Sequence, residues 1–194
     1  MINKLFRLDY SSILLISSNI LTIILAITQN WSLGILLWIY WFQSIIIGIL
    51  NVFKILVLKN FSTENFKINE QNVSPNNRTK IFVALFFAFH YGFFHFIYSI
   101  FLTLILTVSL IDSKIILLTA LIFLINHSFS FFSNLKNDRN KNIGQVMFFP
   151  YIRIIPMHLI ILLGFFIGNS LFGLILFLLL KTLADLITHN IEHY

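Results

Sequence analysis

The stretch Ser32–Leu58, SLGILLWIYWFQSIIIGILNVFKILVL, carries a single charge, Lys54, in 27 residues. About 20 predominantly apolar residues in helical form cross a hydrocarbon core of about 30 Å, so this stretch is long enough to span a bilayer. It shows no strand-length alternation, and an open sheet edge is excluded from lipid. A helix is what remains. Five further apolar runs read the same way: about Tyr10–Thr28, Lys80–Leu110, Ser113–Ser133, Pro150–Gly168 and Ser170–His193. The expected fold is all-α, a polytopic bundle of six transmembrane helices forming one domain over residues 1–194.

Composition excludes a soluble domain. Of the 194 residues 58% are hydrophobic and 10% charged, with a mean hydropathy of +0.91; soluble chains carry about 25% charged residues. Cysteine is absent, which removes disulfides and thiolate metal sites and leaves imidazole, carboxylate, amide and water as ligands. The net charge of +6 is not read as nucleic-acid binding, because the basic residues sit in short loops beside the apolar runs. The expected partner is the lipid bilayer and the expected location the cell membrane. The basic lead before the first run resembles a signal peptide, but Ala26-Ile27-Thr28-Gln29 is a poor cleavage site. A retained first helix is expected.

The polar segments set the topology. Gln29-Asn30-Trp31, Ile111-Asp112 and Gly168-Asn169-Ser170 read as tight turns between antiparallel helices. Asn60–Thr79 shows no apolar periodicity and reads as a mobile loop, with Asn134–Gln145 as a second connection. Lys4, Arg7, Lys59, Lys67, Arg78, Lys80, Lys136, Arg139 and Lys141 fall on one side, and only Lys114 on the other. The positive-inside rule makes the first side cytoplasmic, with both termini there.

All six histidines fall in or at the ends of apolar runs. An ionisable residue inside a membrane costs about 2.5 kcal/mol or more on insertion scales and is a functional candidate by default. Counted from the expected helix ends, His90, His127, His158, Asp185 and His189 lie within roughly 15 Å of the cytoplasmic boundary, and Asn51 and Lys54 reach the same layer. Asp185, His189 and His193 follow one another at four-residue spacing on one helical face, continuing a stripe from Lys181. His90, His127, His158, Asp185 and His189 are the candidate metal ligands; Asn51, Arg153 and Lys181 are candidate polar or anion-binding groups. His189-Asn190-Ile191-Glu192-His193 matches the H-x-x-E-H spacing of inverted zinc peptidases, a weak signal near a helix end. His95 is expected to brace the bundle. Gly92 is expected to permit close helix approach, Pro150 to open the fifth helix, and Pro156 to kink it.

Taken together, Tyr40-Trp41-Phe42-Gln43 with Gly48 and Asn51, His90-Tyr91-Gly92, Asn126-His127-Ser128, Pro150-Tyr151-Ile152-Arg153 with His158, and Lys181, Asp185 and His189 resemble a prokaryotic integral-membrane family, the domain of unknown function family 6498. The resemblance runs from the second span to the end of the chain. It implies a helical membrane domain with no assigned reaction. An acidic residue often stands in that family where this chain has Gln43, a departure that removes a carboxylate.

The histidine-rich layer points first to a metal-dependent membrane hydrolase holding zinc or another divalent transition metal. A proton- or cation-coupled transporter is the alternative, because histidine and carboxylate chains between helices also serve ion pathways. The gathering of polar residues in one leaflet favours a site over a pathway. Haem ligation and a structural role are the remaining alternatives.

Overall fold

The computed structural model describes residues 20, 23, 24, 26–105, 110–138, 140–167 and 170–193, apart from the side chains of 105, 110, 111, 126, 130, 133–138, 162–167, 185 and 189–193. Five long helices dominate: α1 (Leu33–Val57), α2 (Asn77–Ile105), α3 (Leu110–Asp138), α4 (Ile143–Ile167) and α5 (Leu171–His193). Each contains a window long and apolar enough to cross a membrane. The expected first span, Tyr10–Thr28, falls largely outside the described residues. Its described end closes in a Schellman motif: Asn30 adopts φ 52°, Trp31 N–H donates to the Ala26 carbonyl at 2.8 Å, and Asn30 N–H to that of Ile27 at 3.3 Å.

Local chemistry starts the helices. Ser32, Asn76, Asn142 and Ser170 each accept a backbone N–H from the first turn: Ile35 at 3.2 Å, Thr79 at 2.9 Å, Gly144 at 2.9 Å and Gly173 at 3.1 Å. Such caps satisfy donors the helix itself leaves orphaned. The helix bounds correct three sequence expectations. The cap at Asn142 starts α4 seven residues before Pro150, so Pro150 and Pro156 both lie inside the helix. Ile111 and Asp112 are not a turn; Asp112 lies in the first turn of α3, where a carboxylate suits the helix dipole. The connection expected at Asn134–Gln145 shrinks, because α3 continues to Asp138.

The segment 59–76 is folded rather than a mobile loop. β1 (Lys67–Ile68) pairs antiparallel with β2 (Gln71–Asn72) through a two-residue turn in which Asn69 and Glu70 both have positive φ, 49° and 65°. That geometry matches the right-handed twist of a hairpin. Ile143 N–H donates to the Ser62 carbonyl at 3.0 Å and Asn142 Nδ2 to that of Glu64 at 2.9 Å, tying the segment to the start of α4. Phe61 is buried, and Phe66 packs over Gly144, where a Cβ would meet its ring at 2.9 Å.

Side-chain partners fix the direction of each helix. Ser44 and Trp41 of α1 meet Tyr91 and His95 of α2 in opposite order, so the pair is antiparallel. Ile35 and Ile39 pack on Ile116, and Gln43 meets His127, so α1 and α3 run parallel. His90 and Tyr98 of α2 meet Tyr151 and His158 of α4 in the same order. Alternating directions are what successive crossings of a bilayer produce. The core runs along α1, which touches each of α2 to α5, and continues through Phe87, Tyr91, Met157, Phe177 and Leu178. Around it the exterior is apolar: Phe89, Leu104 and Phe129 are 78%, 78% and 73% exposed. In water such a surface is untenable; in lipid it costs nothing.

Candidate functional site

Four histidines have described side chains within the helices, and each has its own partner. Tyr151 Oη lies 2.8 Å from His90 Nδ1, and Tyr98 Oη lies 2.7 Å from His158 Nδ1. These two bonds join α2 to α4 with roles exchanged: histidine to tyrosine in one, tyrosine to histidine in the other. Gln43 Nε2 sits 3.2 Å from His127 Nε2. An amide nitrogen only donates, so the imidazole accepts there. His95 Nδ1 lies 2.9 Å from the Tyr91 carbonyl oxygen, which only accepts, so His95 donates within its own helix. Its ring stacks on Tyr91 at 4.4 Å, and its backbone carbonyl accepts from Trp41 Nε1 at 2.9 Å. The hydrogen bond by which His95 ties α2 to α1 thus comes from its backbone, its ring approaches Trp41 at 6.5 Å, and its Nε2 is buried without a partner.

His90 and His158 are not brought together. Their tyrosine partners place them on different levels, and seven residues of α4 between Tyr151 and His158 amount to about 10 Å of rise. One ion at normal bond lengths of about 2.0–2.1 Å to nitrogen could not reach both. Among the described residues, no three His, Asp or Glu side chains group so as to hold a metal. The side chains of Asp185, His189 and His193 lie outside the described residues, as do those of Asn126, Ser130 and Asn134.

What does converge is a cavity of about 30 Å³ between α1, α4 and α5, bordered by Tyr40, Gln43, Ser44, Pro156, Arg153 and Lys181. Lys181 Nζ stands 4.9 Å from the centre of the Tyr40 ring, within cation–π range. Arg153 is half-buried, and Pro156 supplies no N–H for the Ile152 carbonyl. Two polar links leave the cavity wall. Gln43 leads to His127 on α3; the Ser44 hydroxyl lies 2.7 Å from Tyr91 Oη, which is 3.1 Å from the Ser44 carbonyl. Tyr91 in turn meets the Tyr151 ring edge-on at 5.5 Å. Asn51, one of the expected polar groups, is buried two turns along α1 from Ser44 and does not border this cavity; its Nδ2 has no partner.

The cavity residues stand near the middle of their helices. Gln43 and Ser44, Arg153, and Lys181 all lie within two residues of the midpoints of α1, α4 and α5, about 3 Å. Helices starting at Asn77 and Ile143, rather than at Lys80 and Pro150, move His90 and His158 inward as well. Gln43, Ser44, Arg153 and Lys181 thus share the middle of the helices that carry them, whereas Asn51 stands nearer the end of α1.

Tyr98, Tyr151, Tyr91 and Ser44 were not anticipated as part of this layer. A signal was present for the tyrosines: Tyr151 and His158 are seven apart, as are Tyr91 and Tyr98, so each pair lies on one helical face.

Fold and site together define a helical membrane bundle with a polar centre. The chain belongs to the Family of unknown function (DUF6498), whose family model matches residues 1–194. No curated protein and no solved structure matches the chain.

Proposed function

We propose that this protein is a six-span transporter of the cell membrane, with both termini cytoplasmic, that couples solute movement to protons. The supporting observation is the mid-bundle position of the cavity. A cleft near the midpoints of the helices that line it, beside a helix with internal prolines, suits alternating access, in which helices rock about a central site. The His90–Tyr151 and Tyr98–His158 pairs supply the proton chemistry, because both partners donate and accept, and each bond links two helices that would move relative to one another. Two cations beside the cavity disfavour a cationic cargo, so of the two coupling ions the proton fits better.

The test is proton movement in proteoliposomes carrying a trapped pH-sensitive dye. Wild-type protein is expected to dissipate an imposed pH gradient; His90→Gln and Tyr98→Phe are expected to slow it at least roughly tenfold, the effect of losing a proton-transfer group. A wild-type rate equal to that of empty liposomes, across a panel of small solutes, refutes transport. Reporter tags placed at both termini and in the 59–76 segment test the orientation, and accessibility from the outside would overturn it.

A further inference from the structure

We infer that a groove between α1 and α2 binds a neutral phenol dissolved in the membrane, whose hydroxyl donates to His95 Nε2. The groove shares no lining residue with the central cavity, and the site does not rest on the transport reading.

The groove has a volume of about 380 Å³. Ile49 and Phe96, which border it, are 53% and 62% exposed, so it opens on the lipid-facing surface. Gly92 also borders it, and a Cβ built there meets nothing within 4 Å. None of the lining residues is charged. A charged guest would find no counter-ion here, so the guest is neutral.

Hydrogen-bond accounting gives the guest its polar group. Trp41 Nε1 donates to the His95 carbonyl, the Tyr91 hydroxyl to the Ser44 carbonyl, and the Ser99 hydroxyl to the Phe96 carbonyl at 2.7 Å. The side-chain donors of the groove are therefore in use. His95 offers the reverse. Its Nδ1–H is directed to the Tyr91 carbonyl, so the neutral ring keeps a bare lone pair on Nε2, and that atom is buried without a partner. A buried acceptor left unpaired is costly and calls for a donor. A ketone or an ether cannot supply one; a hydroxyl can. With Nε2 buried, the hydroxyl reaches it as a neighbouring side chain turns aside, and exposed rings such as that of Phe96 change rotamer within nanoseconds.

Rings and depth set the rest of the molecule. Trp41, Phe87, Tyr91 and Phe96 line the groove, and offset or edge-to-face contact with them favours an aromatic guest over a plain alkyl chain. His95 lies ten residues, about 15 Å, from the nearer end of α2. Phospholipid polar groups lie at the ends of the spans, so the donor comes from a lipophilic molecule dissolved in the hydrocarbon.

The experiment is thermal unfolding of the full chain in phosphatidylcholine nanodiscs, with para-hexylphenol compared against para-hexylanisole, a similar body without the O–H. The phenol should stabilise wild type saturably, with an apparent affinity about tenfold above that of the anisole, the effect of one buried hydrogen bond. His95→Phe keeps an aromatic ring and removes the acceptor; it should bring the two compounds to equal affinity. Gly92→Leu puts a side chain into the open space of the groove and should abolish binding of both while the protein stays folded. If His95→Phe does not fold, the comparison of the two compounds in wild type and in Gly92→Leu still decides the matter. Equal affinities in wild type overturn the inference, as does a preference for the phenol that survives His95→Phe. Binding unchanged in Gly92→Leu places the guest elsewhere and overturns it too. Nonanol binding as tightly as the phenol overturns the aromatic assignment. No saturable effect of either compound, the result if another part of this chain or a second copy fills the groove, also overturns it.

Discussion

Gly48→Ala tests the packing that carries the polar centre. Gly48 faces α2, and a Cβ built there would lie 2.5 Å from Tyr91 Cε1 and 2.8 Å from Cδ1. The ring has little room to yield. It stacks on Phe87 at 4.8 Å and on His95 at 4.4 Å, and its hydroxyl is bound to Ser44. Overpacking of this kind costs about 1–3 kcal/mol. Moving the ring also strands a buried hydroxyl, about 1–3 kcal/mol more. Replacing a mid-helix glycine by alanine returns about 1 kcal/mol in helix propensity. The net expectation is a loss of about 1–5 kcal/mol, measured by unfolding in mixed detergent micelles. The control is the same substitution in a Tyr91→Leu background, where the obstructing ring edge is gone. There Gly48→Ala should be neutral or stabilising, giving a coupling energy of about 3 kcal/mol in the double-mutant cycle. Equal destabilisation in both backgrounds would show that Gly48 acts through something other than Tyr91.

Three further outcomes follow from the geometry. Asn142→Ala removes the cap that accepts Gly144 N–H and donates to the Glu64 carbonyl; it should cost about 1–2 kcal/mol and speed proteolysis within 59–76. Unchanged cleavage would mean that the segment is held by other contacts. Glu70→Gly relieves a side chain at φ 65° in the hairpin turn and should stabilise by up to about 1 kcal/mol, seen as a higher melting temperature. A lower one refutes it. Because His90 and His158 sit on different levels, elemental analysis should find zinc content unchanged between wild type and His90→Ala; loss of stoichiometric zinc in both His90→Ala and His158→Ala would place the two on one ion.

Much of the fold was legible because lipid imposes a one-dimensional rule. Long apolar runs must be helices, and the runs Ser32–Leu58 and Ser170–His193 match α1 and α5 to within a residue at each end. Where boundaries were missed, the deciding chemistry was local but easily outweighed by a louder residue. Pro150 drew the start of α4, although Asn142 is the better cap and a proline is tolerated within a helix supported by its neighbours. In the same way Gly92 was expected at a close contact, yet nothing stands within 4 Å of its missing Cβ, and Gly48 fills that role. A glycine in sequence does not say which face it occupies relative to a partner helix.

The site was half legible. Its residue types could be named from the rule that polar groups are expensive in lipid; Arg153, Lys181, His90, His127 and His158 were all singled out on that ground. Their grouping could not. Distance along each helix groups the histidines in one layer, but in the bundle His90, His158 and His127 each meet a different partner, Tyr151, Tyr98 and Gln43. The cavity gathers Arg153 and Lys181 with Tyr40 and Gln43 instead. The sequence by itself determined a helical, bilayer-suited chain and a short list of costly polar residues, because solvent and helix geometry act on each segment alone. Which of those residues face one another was decided by tertiary structure, because it depends on how helices rotate and pack. No single segment carries that information.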